Sequence, residues 1–211
     1  GDDDGGPFDR GAVWTFELNP TGTVKSAAKV SATFGDFTGV LDVFDRFGTA
    51  VAWIGDPDGN GTPDLAVGAP TDDDGIPEHG AIWILFRNAD GTVKSYQKIS
   101  ATEGGYVVSP SFDAGLGWSL ASLGDNDDNG IDEILAGVPE ADAAVFNGGA
   151  LRILDLAPDG TVAAQQTVGD AASGFAQLLS EDDELGSSAT RVGDIDGDGN
   201  VDAALGAAYD D

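Results

Sequence analysis

Three acidic nine-residue segments recur at a spacing of 69 residues, and they limit what this chain can fold into more than any other feature. They read DPDGNGTPD from Asp56, DNDDNGIDE from Asp125 and DIDGDGNVD from Asp194. Positions 1, 3 and 5 of each carry Asp or Asn, position 6 is Gly, and position 9 is Asp or Glu. A hard cation takes roughly six to eight oxygens at about 2.3–2.6 Å, and a tight loop delivers them from alternate residues. The glycine lets the backbone turn sharply enough to wrap the ion. One such loop in an acidic chain is unremarkable; three in one register predict three Ca2+ sites.

The spacing extends beyond these loops. GAVWTFELNPTGTVKSAAKVS from Gly11 matches GAIWILFRNADGTVKSYQKIS from Gly80 and GALRILDLAPDGTVAAQQTVG from Gly149. FGTAVAWIGD from Phe47 matches LGWSLASLGD from Leu116 and LGSSATRVGD from Leu185. No copy contains an insertion, and the 211 residues amount to 3 × 69 + 4. A constant period of this kind predicts an array whose units bury their faces against one another.

Within a unit the local pattern is all β. Gly48–Ile54 predicts a short strand, followed by the acidic loop and a second strand around Leu65–Ala69. Residues 70–79 form a Pro/Gly/Asp loop. Ala81–Phe86 (AIWILF) is apolar on both faces, as in a strand covered on both sides. Asn88-Ala89-Asp90-Gly91 marks a hairpin turn, echoed at 19–22 and 157–160. Thr92–Ser100 alternates, and its lysines suit an exposed edge. The unit is therefore a four-stranded antiparallel meander, and radially stacked meanders make a β-propeller.

On these motifs the chain resembles FG-GAP repeats, the blades of the integrin α-subunit propeller and of many bacterial surface proteins. Phe47-Gly48 and Gly68-Ala69-Pro70 supply FG and GAP in the first copy, with the acidic loop between them. The second has Leu116-Gly117 and Gly137-Val138-Pro139, and the third Leu185-Gly186 and Gly206-Ala207-Ala208. The resemblance covers essentially the whole chain and implies a ligand set. The first loop would use the side chains of Asp56, Asp58, Asn60 and Asp64 with the Thr62 carbonyl. The second would use Asp125, Asp127, Asn129 and Glu133 with the Ile131 carbonyl. The third would use Asp194, Asp196, Asp198 and Asp202 with the Asn200 carbonyl. Glu133 departs from the pattern, leaving Asp132 as a possible sharer, and the four carboxylates of the third loop predict the tightest site. The ions should be structural, since unneutralised loops would repel themselves and binding energy becomes folding energy.

The expected organisation is a half-blade of two outer strands at 1–45, blades at 46–114 and 115–183, and a half-blade of two inner strands at 184–211. One closed ring would have three blades, below the usual four to eight. Two copies exchanging half-blades, a head-to-tail filament, or a longer array are the expected alternatives. The lack of an initiating methionine fits a processed product or a segment of something longer.

Composition narrows function. The chain has 38 acidic and 9 basic residues, for a net charge of −29, which argues against nucleic acid or anionic membranes as partners. Three divalent ions would bring this only to −29 + 6 = −23. The remaining acid reads as a solvated surface, or as further weak cation binding by the runs at 2–4, 72–74 and 181–184. Without cysteine there is neither a disulfide scaffold nor a thiol nucleophile. No apolar stretch approaches membrane-spanning length.

Catalytic signals are weak. His79, the only histidine, reads as a surface loop residue. Gly117-Trp118-Ser119-Leu120-Ala121 lacks the final glycine of a nucleophile elbow, and nearly every conspicuous acid has a metal role. Trp14, Trp53, Trp83 and Trp118 read as core residues inside strands. Asn60-Gly61-Thr62 fits a glycosylation sequon, but Asn60 is wanted by the metal. The sequence thus predicts a non-enzymatic, calcium-stabilised protein, extracellular or at the cell surface, acting in adhesion, matrix or filament assembly. Its partners would be its own copies, neighbouring repeats, or a glycan or protein ligand. The alternative is a ligand- or carbohydrate-binding accessory module of a larger secreted enzyme.

Overall fold

The computed structural model describes residues 9–109, 114–170, 172–173, 175 and 178–210. Among them the chain is all β, in four antiparallel sheets that follow one another in sequence. The first sheet pairs β1 (Val13–Leu18) with β2 (Val24–Val30). The second runs in the order β3 (Val51–Trp53), β4 (Leu65–Ala69), β5 (Ala81–Arg87) and β6 (Val93–Ile99). The third repeats this as β7 (Leu120–Gly124), β8 (Glu133–Val138), β9 (Ala150–Leu156) and β10 (Val162–Val168). The fourth pairs β11 (Leu185–Gly193) with β12 (Asp202–Ala207). The 69-residue offset holds in the pairing itself: Ala66 lies opposite Ile84, and Leu135 opposite Ile153.

The sheets stack face to face because successive side chains of a strand point to opposite faces. In β5, Trp83 and Leu85 face the first sheet, in a core with Val13, Phe37, Leu41 and Phe47. Ile82, Ile84 and Phe86 face the third sheet and meet Leu120, Ile134 and Leu154. A strand sandwiched in this way is apolar along its covered length, Ala81–Phe86, and every residue of β5, Arg87 included, is buried. A third core joins Leu123, Leu135 and Leu151 to Ala189 and Leu205 of the fourth sheet. β3 packs on β7, and β7 on β11. This is the blade arrangement expected for the propeller type.

Short parallel bridges sew consecutive units together. Gly11 bridges Phe47, Gly80 bridges Leu116, and Gly149 bridges Leu185. The amides of Phe47, Leu116 and Leu185 donate to the carbonyls of Arg10, His79 and Gly148 at 2.9–3.0 Å. In the first two copies the glycine of the GAP-type motif packs on the next FG-type glycine. A Cβ on Gly68 would collide with the Gly117 carbonyl, and one on Gly137 with the Gly186 carbonyl.

Several sequence expectations need correction. His79 is buried and packs edge-on against Tyr106, with ring centroids 5.8 Å apart, because its carbonyl is held in the bridge to Leu116. Of the four tryptophans only Trp83 is core. Trp14 and Trp53 are about half exposed, and Trp118 sits in a turn ahead of β7, its amide donating to the Gly115 carbonyl. Lys98 is not an edge guard but folds onto Asp72 (3.0 Å) and Asp74 (3.5 Å). Within the 72–74 run that pairing engages Asp72 and Asp74, and the Ser100 and Thr102 hydroxyls also donate to Asp74. In the run at 181–184, Asp183 accepts the Ser180 amide and Asp182 accepts from Asn147, so these acids anchor loops. The acidic run at 2–4 lies outside the described residues.

Candidate metal centres

Each acidic loop joins two adjacent strands: the first lies between β3 and β4, the second between β7 and β8, the third between β11 and β12. Position 1 organises the turn. Asp56 accepts the amides of Asn60 (2.9 Å) and Gly61 (2.7 Å). Asp125 accepts those of Asn129 and Gly130, both at 2.9 Å. Asp194 accepts those of Gly197, Asp198 and Gly199. Position 3 accepts the position-5 amide at 3.1–3.2 Å in all three loops. Position 5 closes an Asx turn onto the amide of position 7, at 2.7 Å from Asn60 to Thr62, Asn129 to Ile131 and Asp198 to Asn200. The loops are wound by their own side chains.

This winding brings positions 1, 3 and 9 together. The carboxylate oxygens of Asp56, Asp58 and Asp64 lie within 4.8 Å of one another, as do those of Asp125, Asp127 and Glu133, and those of Asp194, Asp196 and Asp202. Such clusters can hold a metal ion. Asp198 stays outside its trio; its carboxylate, occupied by the Asn200 backbone and side-chain amides, has its pKa lowered by those bonds. Asn60 turns its side-chain amide nitrogen to the Arg87 carbonyl (3.1 Å), which leaves that nitrogen unsuited to a sugar. Asp132 does not share the second site, since it accepts the Ser122 hydroxyl at 2.6 Å.

Two orphaned atoms test whether the residues suit a cation. Asp64 is fully buried; its Oδ1 accepts the Arg87 amide at 2.8 Å, while its Oδ2 has no hydrogen-bond partner. Glu133 is also buried, with Oε2 accepting the Asn126 amide and Oε1 unpartnered. Buried carboxylate oxygens without donors are costly unless something positive meets them. In the second and third loops the position-2 amide, of Asn126 or Ile195, donates to the position-9 carboxylate. In the first loop position 2 is Pro57, which has no N–H. Burial, with Asp58 and Asp56 nearby, pushes the Asp64 carboxyl up to about 6. Glu133 is raised by burial and by Asp127 and Asp155. The donor set, all oxygen and acidic, suits a hard divalent cation.

Three contacts had no counterpart in the ligand pattern. Lys94 donates to Asp58 at 2.7 Å; burial would raise the Asp58 pKa, but hydrogen bonds from Lys94 and Asn60 outweigh it and hold it low. The Arg87 backbone braces Asp64 and Asn60 from the neighbouring strand. Asp155 accepts from Asn129 at 3.2 Å and adds a fourth acid beside the second trio. Lys94 could have been noticed from Lys25, its counterpart 69 residues earlier; Asp155 has an acidic counterpart in Glu17 of the first copy but an apolar one, Phe86, in the second.

No family model matches the chain. It is 35% identical to chicken (Gallus gallus) integrin alpha-V over 109 residues, half of this chain. It is 28% identical to Xenopus laevis integrin alpha-4 over 171 residues, 78% of this chain, and 32% identical to Caenorhabditis briggsae integrin alpha pat-2 over 131 residues, 62% of it. These repeats are related to those of integrin α subunits. Within the FG-GAP pattern, Phe47-Gly48, the first acidic loop and Gly68-Ala69-Pro70 form the best-conforming copy. The chain spans only 10–14% of the length of these relatives. Among the described residues no helix is long and apolar enough to cross a membrane.

Proposed function

We propose that the chain is a calcium-stapled, non-enzymatic FG-GAP module of adhesion or assembly, working outside the cell or at its surface. The observation that carries this reading is the thrice-built acidic trio, two of whose members bury a carboxylate oxygen with no donor. Asp56, Asp58 and Asp64, with Asn60 and the Thr62 carbonyl, would hold the first ion. Asp125, Asp127 and Glu133, with Asn129 and the Ile131 carbonyl, would hold the second. Asp194, Asp196 and Asp202, with Asp198 and the Asn200 carbonyl, would hold the third. Position 1 follows one strand and position 9 lies at the start of the next, so an ion between them would clip a hairpin shut. At millimolar extracellular calcium such clips replace the disulfides this cysteine-free chain cannot form.

The integrin α relatives support an adhesive role, and the two incomplete sheets support partnership with further copies or repeats. Thermal unfolding tests the calcium clip: saturating EDTA is expected to lower Tm by on the order of 10 °C or more, reversed by calcium. An unchanged melt would remove the staple.

A further inference from the structure

The first two acidic loops belong to equally complete four-stranded sheets, yet the charge beside them differs in sign. The difference begins with a break in register in the outermost strand. In the second sheet Phe86 lies opposite Ser95 and Arg87 opposite Val93, so Lys94 is the extra residue of a β-bulge. In the third sheet Asp155 lies opposite Ala164 and Leu156 opposite Val162, which leaves Ala163 in the same place. The first sheet repeats the break, with Lys25 as the extra residue. A bulge re-aims the side chain that it leaves unpaired. Lys94 is aimed at the first acidic loop, where its Nζ lies 2.7 Å from Asp58 Oδ2. The methyl group of Ala163 cannot reach that far.

The exchange extends to the neighbours. Asp58 has its Oδ2 met by a full positive charge, whereas Oδ2 of its counterpart Asp127 accepts the neutral side-chain amide of Asn129 at 3.0 Å. Arg87, whose guanidinium lies over Trp53 and is attracted by Asp64, is matched in the third sheet by Leu156. Phe86 is matched by Asp155, which accepts from Asn129 at 3.2 Å. The first trio thus has two cations beside it, and the second has a further acid. Each of these contacts lies within a single sheet. The charge around an oxygen cage tunes its calcium affinity over orders of magnitude.

Resting on the calcium reading above, we propose that Lys94 is a tethered cation that competes for the first site, so that the second loop fills at lower calcium than the first. Lys94 has to leave Asp58 before Oδ2 can serve an ion, and it remains a positive charge close by once displaced. Bracing by the Arg87 backbone differs in kind, because it takes Oδ1 of Asp64 and leaves Oδ2 without a partner. In the second loop Ala163 provides no tether, and Asp155 adds attraction. The module therefore carries one clip that holds at low calcium and one that opens as calcium falls. When the first clip is open, the Lys94 ammonium neutralises Asp58 and limits the repulsion among Asp56, Asp58 and Asp64.

Calcium titration followed by NMR separates the loops in the intact chain. The amides of Gly61 and Gly130 each donate to the first carboxylate of their own loop, so each reports one site. With free calcium set by a chelator buffer, the Gly130 midpoint is expected about tenfold below that of Gly61. Lys94→Gln should lower the Gly61 midpoint about fivefold and leave Gly130 alone, while Lys94→Arg, which keeps the charge, should move neither. Ala163→Lys, at an exposed position, should raise the Gly130 midpoint about fivefold. Asp155→Asn, which retains an acceptor for Asn129, should raise it about threefold. A Gly61 midpoint at or below that of Gly130, one indifferent to Lys94→Gln, or one moved equally by Lys94→Arg would each overturn the proposal. If both amides respond to calcium but neither lysine substitution matters, the calcium clip stands and the tether falls. If neither amide responds to calcium, the calcium reading falls and takes the tether with it.

Discussion

The first and third acidic loops share Asp at positions 1, 3 and 9 and Gly at 4 and 6, and differ in surroundings. In the first, Asp64 is buried, the adjoining β5 donates a backbone amide to it, and Lys94 closes over Asp58. In the third, Asp194 and Asp196 are exposed, Asp202 is only partly covered, and β12 has no neighbour on its outer side among the described residues. The bonds from positions 1, 3 and 5 to their own loop amides recur in both, whatever lies outside. Carboxylate placement is thus a local property of nine residues, while the next strand adds bracing contacts. Loop charge favours the third site and pre-organisation favours the first.

That contrast breaks most visibly at position 9. In calcium, Asp64→Ala is expected to cost about 2–4 kcal/mol, or on the order of 5–10 °C in Tm, since it removes a buried ligand and leaves the Arg87 amide unpaired. Asp202→Ala in the lone chain should cost less than about 1 kcal/mol, because its surroundings remain solvated. Calorimetry of the two variants checks this, and equal losses would end the argument that the neighbouring strand matters.

A subtler change targets the donor that the first loop lacks. Pro57→Ala offers Asp64 the position-2 amide that Asn126 and Ile195 provide in their loops. The calcium-induced rise in Tm should shrink by about 2–4 °C relative to wild type, equivalent to roughly one hydrogen bond. Comparing the rise with and without calcium cancels the effect of the lost proline on the unfolded chain. An undiminished rise would mean that Asp64 Oδ2 does not lack that donor.

Strand order and the approximate bounds of β4, β5 and β6 could be read from apolar patterning and turn residues, because those signals are local. The trios could also be read, since a loop of fixed length fixes which side chains converge. What could not be read depends on neighbours distant in sequence. Trp14 and Trp83 sit in nearly the same local sequence, yet one is exposed and the other core. His79 is buried by a bridge to a residue 37 positions on, and Lys98 is drawn inward by acids of another loop. Asp155 lies beside the second trio from β9, a strand whose counterparts carry Phe86 in β5 and Glu17 in β1.

Asp45 provides a buried acid to set against Asp64, because it lies outside the three acidic loops. Its Oδ2 accepts the Asp42 amide, but burial, with Asp72 and Asp42 adding repulsion, pushes its carboxyl up to about 6 from 3.8. The folded state therefore holds this proton more tightly than the unfolded chain does, so stability falls as pH rises from about 4 through 6 and is not regained above it. Asp45→Asn keeps an acceptor for Asp42 and removes the buried charge. It should raise Tm at pH 7.5 by about 1–3 °C and leave it unchanged near pH 4, where the wild-type carboxyl is protonated in the fold. Taking the difference between variant and wild type at each pH cancels the titration of the three acidic loops. A gain of the same size at both pH values would show that the substituted amide acts through packing, and that Asp45 is not strained by its charge.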